Sequence, residues 1–158
     1  MVERQGRHDV QRTAVRAPAA RLWEVLVDFA HYPQWARDLK EARVVALDDR
    51  GRPAQVAFRA AAMGRSTSYT LAYDYASAPE ELSWRLVEGD IMRRLDGSYR
   101  LAAVEDRPDE TDVFYRLQVE LVVPLPAFVK RRAEGRIVHT ALRELKVHVE
   151  AGSGDLRP

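Results

Sequence analysis

Between residues 42 and 121 apolar and polar positions alternate with the two-residue period of a half-buried strand. On either side of that stretch they recur every three or four residues, as in helices. The clearest strand is 66–75, where Thr67, Tyr69, Leu71, Tyr73 and Tyr75 alternate with Ser66, Ser68, Thr70, Ala72 and Asp74. The same rhythm puts Leu82, Trp84 and Leu86 on one face. It then groups Leu95, Gly97, Tyr99 and Leu101, and finally Val113, Tyr115, Leu117, Val119 and Leu121. Two earlier strands, 42–47 and 55–62, are separated by a turn at 48–51, and a tight turn at Met63-Gly64 leads onward. Loops are expected at 77–80 and 106–110. A loosely alternating segment, 8–16, reads as the first strand. Ala17-Pro18 then opens a helix, with proline at the first helical position, and Leu22, Val25, Leu26 and Phe29 follow the i, i+3, i+4, i+7 pattern. Pro33 ends that helix, and 32–39 is expected to form a short helical turn. Pro124-Leu125-Pro126 closes the last strand and starts one long amphipathic helix, 126–151.

The order is one strand, two short helices, six successive strands and a long helix. Short links between neighbouring strands imply antiparallel hairpins. One face of each strand is apolar and the other mostly polar, so the sheet is covered on one side. A helix of this length spans about 38 Å, against about 33 Å for a ten-residue strand. The sheet must therefore curve around the helix, and a concave space between the two suits a ligand. The fold class expected is α+β: a curved antiparallel sheet of about seven strands wrapped around a long C-terminal helix, with two short helices after the first strand. One domain is expected over 9–151, with flexible termini at 1–8 and 152–158.

Composition narrows the partners. The 158 residues carry a net charge of +1, with arginines interleaved among acidic residues rather than gathered in a basic stripe, so no nucleic-acid surface is expected. The chain holds no cysteine, hence no disulfide frame and no thiolate chemistry. The four histidines, His8, His31, His139 and His148, are scattered, and no spacing suggests a metal; no cofactor is expected. The first eight residues lack the apolar run of a signal peptide, and no stretch approaches the roughly 20 apolar residues of a membrane span. A cytoplasmic location fits, as monomer or homodimer. The run Lys130-Arg131-Arg132 could touch anionic lipid heads in a transient membrane contact, which three residues alone do not establish.

The long helix holds the candidate chemistry. Stepping 100° per residue gathers Ile137, Val138, Ala141, Leu142, Leu145 and Val149 on one side, with Arg131 and Glu134 on that same apolar side. Two charges there either face a cavity or reach solvent past the sheet's rim along their alkyl stems. Arg131 would suit an oxyanion, and Glu134 would orient it or act as a base. Gly135 gives either clearance beside a cavity or local packing. On the sheet, Phe58, Tyr69, Tyr73, Trp84, Tyr99 and Tyr115 face inward, where they either fill the core or line a pocket whose polar end is Arg131 and Glu134. Tyr32 and Trp35 are expected near the mouth, as a lid or as a staple of the short helix on the sheet. The pocket expected is therefore lined by Phe58, Tyr69, Tyr73, Trp84, Tyr99, Tyr115, Arg131, Glu134, Ile137, Val138 and Trp35.

Four stretches carry a family resemblance: Val15-Arg16-Ala17-Pro18 with Leu22-Trp23-Glu24-Val25-Leu26, then Asp28-Phe29-Ala30-His31-Tyr32-Pro33-Gln34-Trp35, Leu95-Asp96-Gly97-Ser98-Tyr99, and Pro124-Leu125-Pro126. With the order of elements, they resemble the START-like (SRPBCC) superfamily and its helix-grip fold, most closely the polyketide cyclase/dehydrase and coenzyme-Q-binding-protein branch. The resemblance spans about residues 10–150. It implies a cavity between sheet and last helix for a hydrophobic small molecule such as a lipid, quinone, sterol or polyketide. Binding or transport is the function expected. The alternative is a polyketide aromatase/cyclase using acid–base residues of the same cavity, for which no catalytic motif can be carried over residue by residue.

Overall fold

Seven segments with the two-residue rhythm form seven strands of one antiparallel sheet. The computed structural model describes residues 10–62 and 64–155. The strands are β1 (Val10–Val15), β2 (Leu39–Leu47), β3 (Pro53–Ala62), β4 (Arg65–Asp74), β5 (Glu81–Gly89), β6 (Met92–Val104) and β7 (Arg107–Leu121). Their order across the sheet is β1-β7-β6-β5-β4-β3-β2. β2 to β7 are thus a run of hairpins, and β1 closes the far edge by pairing with β7, Gln11 opposite Tyr115. Helix α1 (Ala19–Leu26) and a 3₁₀ helix (Phe29–Gln34) carry the chain from the β1 edge to the β2 edge. Helix α2 (Ala127–Asp155) crosses the concave face and packs on β1, β7 and α1. The family's helix-grip arrangement is therefore present.

Several boundaries differ from expectation for local reasons. Pro18 precedes α1 in an extended conformation (φ −69°, ψ 154°) instead of occupying its first turn. Its carbonyl accepts the N–H groups of Arg21 and Leu22, so it caps the helix through the backbone. The short helix lies at Phe29–Gln34, earlier than the expected 32–39, and Pro33 sits inside it. A 3₁₀ helix this short loses only one N–H to the proline. Of the loop expected at 106–110, residues 107–110 are strand: β6 and β7 are joined by a two-residue turn in which Asp106 takes φ 67°. Aspartate tolerates that left-handed conformation better than most residues. Pro108 is accommodated because β1 pairs with β7 only from Thr111 onward, leaving 107–110 at the sheet's edge. α2 runs to Asp155, past the expected end at 151. The turn residue Met63, the strand start at His8 and the segments 1–9 and 156–158 lie outside the described residues.

The core gathers Val15, Leu22, Leu26, Phe29, Leu82, Val113, Leu117, Val138, Leu145 and Val149, all essentially inaccessible. It occupies the side of the concave face where α2 meets β1, β7 and α1. Opposite, under β3, β4 and β5, α2 stands away from the sheet.

Candidate functional site

A cavity of about 780 Å³ opens between α2 and the sheet. That lies within the roughly 300–1,000 Å³ of small-molecule sites. β3 and β4 supply one wall with Phe58, Ala60, Thr67, Tyr69, Leu71 and Tyr73. β5, β6 and β7 supply the floor with Trp84, Leu95, Tyr99, Tyr115 and Leu117. Tyr32, Trp35 and Leu39 close one end, and α2 forms the roof with Val129, Arg132, Ala133, Arg136, Ile137, Thr140, Ala141 and Glu144.

The inward aromatics both pack and line. Tyr99 and Tyr115 stack with centroids 4.4 Å apart, Trp84 meets them at 5.5 and 5.7 Å, and Tyr73 meets Trp84 at 5.9 Å. Phe58 stacks on Tyr69 across β3 and β4 at 5.5 Å. Trp84 can lie flat on the floor because its cross-strand partner on β6 is Gly97. A Cβ at Gly97 would stand 2.6 Å from the indole Cζ2 and 2.5 Å from the Arg116 carbonyl oxygen. Among the described residues, Trp84 Nε1 is the one buried side-chain polar atom without a hydrogen-bond partner.

The hydroxyls divide into committed and open groups. Tyr32 donates to the Leu26 carbonyl, and Tyr75 to that of Pro53 at 2.7 Å. The Tyr99 and Tyr115 hydroxyls face one another. Those of Tyr69 and Tyr73 bond to no described residue and are not sealed from the void. Burial raises the ionisation of Tyr32, Tyr69, Tyr73, Tyr99 and Tyr115 well above the ordinary phenol range. The inner cavity is therefore walled by neutral O–H groups, which donate to a ligand oxygen but do not act as phenolates near neutral pH.

Of the residues expected to line the pocket, Phe58, Tyr69, Tyr73, Trp84, Tyr99, Tyr115, Trp35 and Ile137 do so. Ile137 is 44% exposed and sits at the mouth. Trp35 lines the end wall while stacking on His148 of α2 at 6.0 Å and touching Tyr32 at 5.0 Å, which makes it a staple. The other three expected residues lie elsewhere. Arg131 is exposed and points away from the cavity lining. Glu134 is 3% exposed, but Oε2 accepts the Val119 N–H of β7 at 2.8 Å, with Lys130 Nζ 3.8 Å away. Val138 belongs to the dry core. Gly135 is turned to β1, where Gln11 Nε2 donates to its carbonyl at 3.0 Å.

The reason is that α2 has two inner faces where one was expected. Glu134, Val138, Leu142, Leu145 and Val149 pack the core. The cavity face lies about 130° round the helix at 100° per residue. It carries Ala133, Ile137, Thr140 and Glu144, with Arg132 and Arg136 at its outer margin. Arg132, Arg136 and Glu144 were missed because they fall outside the strongest apolar stripe. The small residues Ala133, Thr140 and Ala141, spaced along a second stripe, were the signal available. Glu144 accepts the Arg37 N–H at 3.4 Å, and its charge is one of the influences raising Tyr99 after burial itself and Tyr32.

Comparison with known proteins agrees with this geometry. Residues 15–146 match the family model described as polyketide cyclase / dehydrase and lipid transport. No curated protein sequence matches the chain significantly. A START superfamily protein from Mycobacterium smegmatis is 25% identical and superposes with a TM-score of 0.85, over 90% of this chain and 96% of that one. The Zhui aromatase/cyclase from a Streptomyces species is 16% identical, TM-score 0.74, over 89% and 92%. A STAR-related lipid transfer protein from Xanthomonas axonopodis is 17% identical, TM-score 0.63, over 89% and 84%. The last two likenesses concern the fold alone.

Proposed function

The chain belongs to the polyketide cyclase / dehydrase and lipid transport family, and on that premise we propose that it binds an amphipathic, mainly apolar small molecule in the cavity under α2. The observation that carries this reading is the 780 Å³ space walled by aromatic rings, with the Tyr69 and Tyr73 hydroxyls bonded to no described residue. Neutral donors inside favour a ligand with a buried carbonyl or ether oxygen over one with a buried carboxylate. Arg132 and Arg136 at the mouth suit an anionic or strongly polar end left near water. Binding or transport needs nothing more from these side chains.

A second reading, cyclase chemistry, has one observation in its favour: Glu144 lines the cavity and acts electrostatically on Tyr99. A carboxylate and a neutral phenol lining one cavity are the minimum for moving protons in a ring closure. In that reading Glu144 removes a proton from a carbon between two ketones while Tyr99 or Tyr115 donates to the enolate oxygen; the enolate carbon then bonds to a second carbonyl carbon, whose π bond opens to an oxyanion that takes the proton back from Glu144.

Two measurements test the proposal. Native mass spectrometry of freshly purified protein should retain a small molecule. Calorimetric titration should give tighter binding of a flat aromatic ketone than of its parent hydrocarbon. Tyr73→Phe should then reduce ketone affinity by about 2- to 12-fold, the range of one net hydrogen bond, and leave the hydrocarbon unchanged. Failure to bind either probe, with no retained ligand, sinks the binding reading. Turnover of a poly-β-ketone abolished by Glu144→Gln would establish the second.

A further inference from the structure

The corner where β7 passes into α2 carries an exposed apolar tip beside a cluster of arginines. Val123 is 68% exposed and Phe128 is 62% exposed, with Val122 next to them also open to water. Val122 donates to the Ile91 carbonyl at 2.9 Å, which brings the exposed Arg93 to the same corner. Phe128, Arg131 and Arg132 are three and four residues apart, so they share one side of the helix. Between 127 and 143, α2 carries Lys130, Arg131, Arg132, Arg136 and Arg143 against Glu134 alone, in a chain whose net charge is only +1. Glu134 is buried against β7 and pairs with Lys130 at 3.8 Å, which leaves the arginines of this stretch uncompensated within it. Arg131, Arg132 and Arg136 form no ion pair among the described residues.

An apolar tip rimmed by charge marks an interaction surface. Its cations call for anions, and Phe128 and Val123 call for hydrocarbon a few ångströms deeper. We propose that this corner docks on a bilayer containing anionic phospholipid, the arginines at headgroup level and the two apolar side chains in the interfacial layer. A nucleic acid would satisfy the arginines and leave Phe128 and Val123 in water. Because Arg132 and Arg136 also edge the cavity, docking turns the mouth toward the membrane. The surface stands whether or not the cavity reading holds, since it uses only exposed groups.

The test is co-sedimentation of the full chain with phosphatidylcholine vesicles, with and without phosphatidylglycerol, at physiological salt. Binding is expected only to the anionic vesicles and should fall as salt rises. Arg131→Glu and Phe128→Ser should each weaken it about ten-fold or more, with the far-ultraviolet circular dichroism spectrum unchanged because both side chains are exposed. Arg50→Glu makes the same charge change at the β2–β3 turn, the opposite end of the hairpin from the mouth, and should stay within about two-fold of wild type. Equal binding to neutral vesicles, no binding to anionic ones or an equal loss in Arg50→Glu would overturn the proposal. So would retention on duplex DNA in place of vesicles, insensitive to Phe128→Ser.

Discussion

Gly97→Ala should be among the most damaging small changes in the sheet, and Gly135→Ala should stabilise. At Gly97 the added Cβ meets the Arg116 carbonyl oxygen at 2.5 Å and the Trp84 indole at 2.6 and 2.9 Å. The carbonyl belongs to β7, so it cannot retreat without parting β6 from β7 where Gly97 pairs with Leu117. The indole cannot retreat without leaving Tyr73, Tyr99 and Tyr115. Overpacking typically costs about 1–3 kcal/mol, and a clash with backbone belongs at the top of that range. For a domain of this size each kcal/mol is about 2–4 °C, so Tm should fall by about 6–12 °C. At Gly135 the nearest atom to an added Cβ is Gln11 Nε2 at 3.8 Å, an ordinary contact. There the helix gains about 0.5–1 kcal/mol, and Tm should rise by about 1–4 °C. Thermal and urea unfolding followed by circular dichroism measure both. Trp84→Ala combined with Gly97→Ala removes the indole clash and leaves the carbonyl clash, so the double-mutant cycle should show a coupling of about 1–2 kcal/mol. A Gly97→Ala protein melting within about 2 °C of wild type would refute the claim that Gly97 is what lets the indole form the cavity floor.

Glu134→Ala strands the buried Val119 N–H and should cost about 1–3 kcal/mol in urea unfolding. Glu134→Gln, which keeps an acceptor, should cost less; equal losses would show that the hydrogen bond is not the cause. All six tyrosines are raised, Tyr75 to about 12 by burial and then the Asp48 charge. The native protein should therefore show no phenolate absorbance at pH 10, where the unfolded chain is half ionised. An acid with a raised folded pKa contributes stability that is complete below its unfolded value and disappears above it. Unfolding should accordingly set in as pH climbs past about 10, and a native titration matching the denatured one would contradict the burial. His148 is lowered by burial first and then by the Arg21 charge. Its contribution is present above the unfolded value of about 6.5 and declines as pH falls below that. Proton NMR should find it titrating below 6.5 in the native state; a higher value would contradict this.

Much of the fold was legible because alternation is a local property. Once Thr67, Tyr69, Leu71, Tyr73 and Tyr75 are seen to share a face, every hairpin from β2 to β7 follows from short links. What alternation cannot report is the pairing of β1 with β7, which joins residues about a hundred apart and depends on sheet closure. The inner aromatics were legible for the same local reason. The polar groups of the site were not, because the sequence reports a helix's apolar stripe and does not say which neighbour each part of it meets. Glu134 looked like a cavity acid from its angle, yet its carboxylate serves the backbone of β7. Glu144, outside the strongest apolar stripe, faces the void.

The two-faced roof explains why a cavity survives at all. A helix with one apolar stripe would sink symmetrically into the concave sheet until side chains filled the space. α2 is instead held to one side. Leu142, Leu145 and Val149 pull its C-terminal half onto the core, while Lys146 donates to the Ala14 carbonyl of β1 at 2.6 Å and Glu150 accepts the Arg16 N–H just past that strand at 2.9 Å. Glu134 to Val119 and Gln11 to Gly135 fix its N-terminal half to β7 and β1. With both halves anchored to the β1–β7 edge, the helix cannot roll toward β3 and β4. Several of the residues it presents there, Ala133, Thr140 and Ala141 among them, are small and leave the space beneath them open. The Glu134 carboxylate does something a leucine at 134 would not: it sets the helix's rotation by demanding one particular backbone N–H. Glu134→Leu strands the same Val119 N–H but refills the site with apolar bulk, so it should be less destabilised than Glu134→Ala and should still lose the defined cavity. The readout is ligand titration against melting temperature, and a variant that both melts and binds like wild type would show that the apolar contacts alone hold the roof in place.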